Sequence, residues 1–177
     1  MPESQTPISF NKEMINAITS GRKTETRRIA KIPLLRRLKV FIMDCLRLDT
    51  NDELLKSFRY GSIGSQLCIK DECDPFRRIK LVITDIRLEH LNDINEVGAL
   101  AEGVDYKVMA NKMGVIRVRF KGYDCGLFYN PSARNSFISL WQKIYGDLSW
   151  YDNPLVWVIS FSVVGSGRDE REEQTRQ

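Results

Sequence analysis

The residues best suited to chemistry lie in one short segment, residues 21–28, with the sequence GRKTETRR. It holds four cations, two hydroxyls and one carboxylate in eight residues. A hydroxyl becomes a nucleophile when a neighbouring base removes its proton, and a lysine is such a base when its pKa falls towards neutrality. Thr26 and Lys23 supply both groups. The alternative is a solvated basic turn, which is what most runs of charge are.

The arginines beside Lys23 favour the first interpretation. Arginine is not deprotonated in proteins, so Lys23 is the group expected to lose its proton among Arg22, Arg27 and Arg28. Residues 23 and 26 are three apart, so their side chains meet in a turn but point to opposite faces of a flat strand. We therefore expect a turn or bulge at residues 24–25.

Composition limits the class of protein. A chain of 177 residues with 42% hydrophobic residues suits one globular domain. It shows no signal peptide, no apolar run long enough for a membrane span and no paired cysteine motif, so we expect a cytoplasmic protein with reduced thiols. A net charge of +4 favours anionic partners. With one histidine, His90, and cysteines without ligand spacing, we expect no metal and no cofactor.

Apolar periodicity gives the elements around this segment. Helices are predicted over residues 11–20, 32–47, 52–58, 93–101 and 130–146. The helix over 93–101 ends near Glu102, where a carboxylate meets the negative end of the helix dipole, an arrangement that suits a proton donor. Strands are predicted in QLCIK, RIKLVITDIRLEH and LVWVISFSVV, and a phase shift near Asp85 indicates a bulge.

Two further features point to an extended anionic ligand. In VIRVRFKGY, Ile116, Val118 and Phe120 are expected to face the core, opposite a cationic stripe of Arg117, Arg119 and Lys121. Charges ~7 Å apart along a strand approach the spacing of backbone phosphates. Protection of an edge strand explains the same pattern. Trp150 and Tyr151 are expected to be exposed and able to stack on a base.

The order of these segments resembles the ASCH domain family, in the form common in bacteriophage and prophage genomes. The family signature Gly-x-Lys-x-x-Glu-x-Arg is matched by Gly21, Lys23 and Arg28, with Thr26 at the Glu position. One bacterial branch, the acetylcytidine amidohydrolases, also carries Thr there. The resemblance implies an α+β fold, a PUA-like small mixed β-barrel with helices packed around it, over residues 7–164. Residues 165–177 are expected to form a disordered charged tail.

In that branch the resemblance implies a Thr nucleophile, a Lys base and a Glu partner, which here are Thr26, Lys23 and Glu102. The first hypothesis is an amidohydrolase that removes an acyl group from the exocyclic amine of cytidine or a related nucleoside. The alternative is a non-catalytic RNA-binding module that uses the same cleft and the basic strand. The ligand-binding residues predicted for either function are Arg22, Arg27, Arg28, Arg117, Arg119, Lys121, Trp150 and Tyr151.

Overall fold

The computed structural model describes residues 8–32, 58–70 and 77–168. The described elements are helices α1 (Lys12–Thr19), α2 (Glu96–Ala101) and α3 (Ala133–Tyr145), and strands β1 (Glu25–Ile29), β2 (Gln66–Lys70), β3 (Arg77–His90), β4 (Tyr106–Ala110), β5 (Ile116–Lys121), β6 (Phe128–Asn130) and β7 (Leu155–Arg168). Short 3-10 turns cover Leu91–Asp93 and Asp147–Trp150. The helices predicted over residues 32–47 and 52–58 lie almost wholly outside the described residues.

The strands form two antiparallel sheets within the described ranges, one in the order β1-β7-β3-β2 and one in the order β4-β5-β6. The α+β class is therefore correct. Neither set of hydrogen-bonded strands closes on itself in this part of the chain, so the PUA-like barrel stays a prediction.

The long strands β3 and β7 form the centre of the larger sheet. Ile79, Leu81 and Ile83 alternate along β3 and are all fully buried. The register with β7 then shifts between Ile83 and Asp85, which confirms the bulge predicted near Asp85. Because a bulge adds one residue to a strand, it returns Ile86 to the buried face and leaves Asp85 to the other face.

This sheet has a core on each face. Trp157, Ile159 and Phe161 of β7 pack with the β3 isoleucines and α1, whereas Val156 and Val158 pack with α2 and α3. A strand buried on both faces reads as a continuous apolar run, as LVWVISF does. The strand continues to Arg168, and residues 165–168 pair with the start of β3.

The β4–β5 hairpin differs from the sequence prediction. Ile116 and Val118 were expected to face the core, but Ile116 is 70% exposed and Val118 is also exposed. Alternation correctly placed the apolar residues on one face, opposite Arg117 and Arg119. It does not tell whether that face is covered, and in the described part of the chain both faces of this hairpin are largely open.

The start of helix α2 differs from the predicted residue 93. The helix begins at Glu96 and is capped by Asn95, whose side chain accepts from the Gly98 N–H. Glu96 accepts hydrogen bonds from Ser132 and from the Ala133 N–H, at the start of α3. Its carboxylate therefore links two helices, an arrangement favoured by the positive end of the α3 dipole. None of the described helices is long and apolar enough to cross a membrane.

Candidate functional site

Helix α1 sets the position of Lys23. Asn11 caps its first turn, and the chain leaves its last turn through Gly21, whose φ of 74° is the left-handed conformation usual after a helix end. The backbone N–H groups of Arg22 and Lys23 both donate to the Ala17 carbonyl, at 2.9 and 3.0 Å. These bonds fold the start of the basic segment back against the helix.

The backbone changes its hydrogen-bond partners at Thr24. Its N–H donates to the Ala101 carbonyl at 2.8 Å, and its own carbonyl accepts from the Phe161 N–H at 2.9 Å. In a regular antiparallel pair a residue exchanges both bonds with the same partner strand, so this residue is irregular. The regular register with β7 begins at Glu25. The irregularity expected at residues 24–25 therefore lies at Thr24, without a turn.

Lys23 and Glu102 form a buried ion pair. Lys23 is only 1% exposed, and its Nζ donates to Glu102 Oε2 at 2.6 Å and to the Glu102 carbonyl at 2.9 Å. The two residues also form an isolated antiparallel bridge. Lysine is almost never fully buried unless it is paired, and here a single residue supplies both acceptors.

The surroundings of Lys23 lower its pKa below the ordinary value. Burial lowers the pKa of the Lys23 ammonium, the Glu102 carboxylate opposes that effect, and the charges of Arg28 and Arg27 lower the pKa further. The direction agrees with the sequence prediction. The main cause differs, because loss of hydration outweighs the crowding by arginines.

Arg27 reaches the same carboxylate from β1. Its Nη1 donates to Glu102 Oε1 at 3.2 Å, and its Nη2 lies 3.4 Å from Glu89 Oε2 on β3. The carboxylate of Glu25 is 3.5 Å from Nη1. This arginine was predicted to bind ligand, but the structure places it inside the protein, among three carboxylates.

Thr26 is buried on the other face of β1, opposite Ile159 of β7. Arg28 projects to the same face, since the two residues are two apart in a strand. Its guanidinium lies 5.1 Å from the Phe10 ring centre, and Lys23 Nζ lies 5.9 Å from the same ring centre. Arg28 and Lys23 therefore border the same aromatic ring. Among the described residues, the Thr26 hydroxyl makes no hydrogen bond to Lys23 or Glu102.

The remaining predicted ligand residues differ in how accessible they are. Arg22 is half-buried and pairs with Asp105 at 2.7 Å. Arg117 is exposed and Arg119 is half-buried, whereas Lys121 lies 3.0 Å from Glu13 and sits over the Tyr123 ring. Among the described residues, two members of the cationic stripe, Arg117 and Arg119, have no carboxylate partner, and Arg119 donates to the Val118 carbonyl at 3.4 Å.

The two aromatic residues after α3 differ in their exposure to solvent. Trp150 is buried, so its predicted exposure is wrong, and the Arg134 guanidinium covers its ring at 5.2 Å. Tyr151 is 76% exposed, as predicted. A 3-10 turn that ends at Trp150 directs consecutive side chains differently, and the apolar indole packs with α3 in the second core.

Sequence reasoning missed the acidic partners of the site. Glu25, Glu89 and Asp85 surround Arg87, which binds Glu89 at 2.5 Å and Glu25 at 3.1 Å. After the bulge, the alternation of Asp85, Arg87 and Glu89 in β3 already places these charges on one face. That alternation is the sequence signal from which these acidic partners could have been predicted.

A small pocket adjoins Glu102, with room for about one water molecule. It is lined by Asn11, Glu13, Met14, Glu102, Gly103, Asp105, Tyr123 and Leu140. Burial raises the pKa of the Tyr123 hydroxyl to about 12, so this side chain stays a neutral hydrogen-bonding group at ordinary pH. Its hydroxyl accepts from the Asp105 N–H, which fixes the wall of the pocket. Within the described ranges, no cluster of His, Cys, Asp or Glu side chains is arranged to hold a metal ion.

Comparison with solved structures identifies a distant structural neighbour of this chain. No family model matches the chain, and no curated protein matches it significantly. The crystal structure of protein EF3133 from Enterococcus faecalis V583, described with the family designation DUF984, aligns over 94% of this chain and 84% of its own length. The TM-score of that alignment is 0.48 and the sequence identity is 16%.

Proposed function

We propose that this chain is an amidohydrolase that removes an acyl group from the exocyclic amine of cytidine or a related nucleoside. The observation that carries the proposal is the buried Lys23–Glu102 pair, with Nζ 2.6 Å from Oε2 and the pKa of Lys23 lowered by burial. Strongly perturbed ionisable groups concentrate at functional sites. The family resemblance supplies the reaction class, and with it the PUA-like barrel and a cytoplasmic location in a bacterial or phage-infected cell.

The pair can supply a base and an acid at once. Transfer of one proton from Lys23 to Glu102 across the short contact leaves a neutral amine and a carboxylic acid. The amine takes the proton of the Thr26 hydroxyl as its oxygen attacks the acyl carbon, and the acid protonates the departing exocyclic amine. Water then hydrolyses the acyl ester on Thr26, releasing the carboxylic acid and the free hydroxyl.

The arrangement in the absence of substrate sets what must move. Both Glu102 oxygens accept hydrogen bonds, one from Lys23 and one from Arg27. Thr26 lies on the other face of β1, so substrate binding has to bring its hydroxyl and the Lys23 amine to the same acyl carbon. Catalytic hydrogen bonds are often long or absent before substrate binds, so the separation does not remove Thr26 as the nucleophile.

The test is a pair of matched substitutions near the start of β1. Thr26→Ala is expected to abolish release of acetate from N4-acetylcytidine, whereas Thr24→Ala, the same change at an exposed threonine two residues earlier, should retain it. Loss of a nucleophile costs several kcal/mol of barrier, and a surface change has little effect. Wild-type turnover by Thr26→Ala would contradict the nucleophile assignment, and no turnover by wild-type protein would contradict the reaction.

A second function, RNA binding without catalysis, has its own supporting observation. The β4–β5 hairpin, from Tyr106 to Lys121, carries five cations and no acid. Arg117 and Arg119 project from one face of β5, with Lys107 opposite Arg119 on β4. The hairpin begins at Tyr106, four residues after Glu102, so an RNA strand lying along it would reach the site.

Salt dependence tests this alternative. Changing Arg117 and Arg119 to Ser should reduce the slope of log affinity against log salt by about 1.4 for single-stranded RNA, since each phosphate contact contributes about 0.7. Adding Lys121→Ser should leave the slope nearly unchanged, because Lys121 is already paired with Glu13. An unchanged slope in the double variant would assign the two arginines to protection of the exposed strand instead.

A further inference from the structure

We propose that Arg27 is a positioning residue that fixes the Glu102 carboxylate and thereby decides how a proton is shared between Lys23 and Glu102. The inference deepens the proposed function, since it concerns the same site. Arg27 lies at a position that the sequence motif leaves open, between Thr26 and Arg28.

Both terminal nitrogens of the Arg27 guanidinium lie next to carboxylates. One terminal nitrogen donates to Glu102 Oε1, and the other lies 3.4 Å from Glu89. The side chain is 2% exposed, and its Nε has no hydrogen-bond partner within the described ranges. Because one donor of the buried Arg27 guanidinium is unsatisfied, its remaining contacts must stabilise it. These contacts are with the carboxylates.

The first turn of α2 leaves space for this guanidinium. A Cβ added at Gly98 would lie 3.0 Å from Arg27 Nη2, tighter than ordinary contact. Phe137 of α3 lies 5.9 Å from the guanidinium carbon and closes the other side. The fold therefore confines Arg27 to one orientation, which points at Glu102.

As a consequence, the two oxygens of the Glu102 carboxylate have different partners. Arg27 occupies Oε1, so the proton that leaves Lys23 can be accepted only at Oε2. The charge of Arg27 also stabilises the state in which Lys23 is neutral and Glu102 is ionised, because that state has the greatest negative charge. Glu89 has the opposite effect, because it partly neutralises Arg27. The charged groups that face this pair are Glu25, Arg27 and Arg28 on β1, Glu89 on β3, with Arg87 behind it, and Glu13 on α1, beside the pocket.

Two substitutions should therefore move the titration of Lys23 in opposite directions. The measurement is the NMR titration of the Lys23 side chain in lysine-labelled full-length protein, which requires no turnover. Arg27→Met should raise the titration midpoint by about one pH unit. Glu89→Gln should lower it, and Arg27→Lys, which keeps the charge, should restore it towards the wild-type value.

Activity provides a second readout with the same signature. In Arg27→Met, the high-pH limb of kcat for acetylcytidine, where the pair loses the proton that it shares, should move to higher pH by about one unit, with KM unchanged. Arg134→Met is the matched control, because this arginine binds the Asn92 and Ile94 carbonyls away from the pair. It should move neither the midpoint nor the pH profile.

The outcomes separate this inference from the proposed function. Midpoints that stay fixed, or that move in the same direction in Arg27→Met and Glu89→Gln, would overturn the positioning role. If Arg27→Met does not fold, the direction of the shift in Glu89→Gln decides alone. Opposite shifts in a protein without hydrolytic activity would support the role of Arg27 and contradict only the reaction.

Discussion

Trp150 and Tyr151 show at the residue scale how sequence neighbours acquire different roles. Trp150 packs against Arg134 and the second core, and Tyr151 projects into solvent. Stacking on a base requires an accessible ring, so only Tyr151 can contribute to ligand binding by that route.

Alanine substitution should separate the two roles. Trp150→Ala is expected to lower the free energy of unfolding by about 3–5 kcal/mol, because it removes a buried aromatic side chain. Tyr151→Ala should leave stability within about 0.5 kcal/mol and weaken nucleoside or RNA affinity. Urea denaturation and equilibrium binding measure the two effects. Equal stability of both variants would contradict the burial of Trp150.

The residues of the site were predictable to different degrees. Lys23, Thr26 and Glu102 were predicted from residue types and a motif, and the contact between Lys23 and Glu102 agrees with that prediction. The inward orientation of Arg27 was not predictable, because four cations in one run are equivalent in sequence. Which of them enters the protein depends on Glu89 and Gly98, which are more than 60 residues away.

At the scale of elements, the join between α2 and β1 determines whether the pair can form. Gly103 has a φ of 80°, and a Cβ there would lie 2.6 Å from the Lys23 Cβ. The close approach of this residue to β1 brings Glu102 alongside Lys23, so a glycine is required for two independent reasons.

Gly103→Ala should therefore cost more than the left-handed conformation alone. We expect a loss of about 2–5 kcal/mol, the sum of about 1–2 for backbone strain and about 1–3 for overpacking. Gly126→Ala is the control, because its φ of 76° is similar and a Cβ there meets nothing within 4 Å. Thermal or urea denaturation of both variants gives the comparison. Equal losses would show that the contact with Lys23 is not limiting.

Elements with strong internal patterns were predicted best. The bulge of β3 and the two-sided burial of β7 follow from apolar periodicity, which acts within one strand. The exposure of the β4–β5 hairpin could not be predicted in this way, because its apolar face is uncovered only through the absence of a packing partner among the described elements. Its pattern is the same as that of a strand on a core.

At the scale of the whole molecule, the larger sheet brings distant parts of the chain to one place. Lys23 and Arg27 come from the segment before and within β1, Glu89 from the end of β3, and Glu102 from the end of α2. The apolar cores on both faces offset the cost of burying these charges, since a buried ion pair is rarely a net source of stability. Burial of these charges therefore lowers the free energy of unfolding, by an amount that depends on pH.

The pH dependence of stability follows from Lys23. Burial lowers its pKa in the folded protein below the ordinary value of 10.5, so between those two values the unfolded chain binds more protons than the folded one. Stability from this group must then rise as pH rises through that window, by about 1.4 kcal/mol for each unit by which the pKa is lowered. Lys23→Met removes the titrating group, so wild-type protein should gain stability relative to this variant as pH rises towards 10.5.

Urea denaturation at a series of pH values measures this difference. Other titrating groups are common to both proteins and largely cancel, including Tyr123, whose pKa is raised to about 12. Lys12→Met, at an exposed position on α1, should show no such trend relative to wild type. A constant difference between wild type and Lys23→Met across the range would show that Lys23 keeps its proton when the protein folds, and would leave the site without the base that hydrolysis requires.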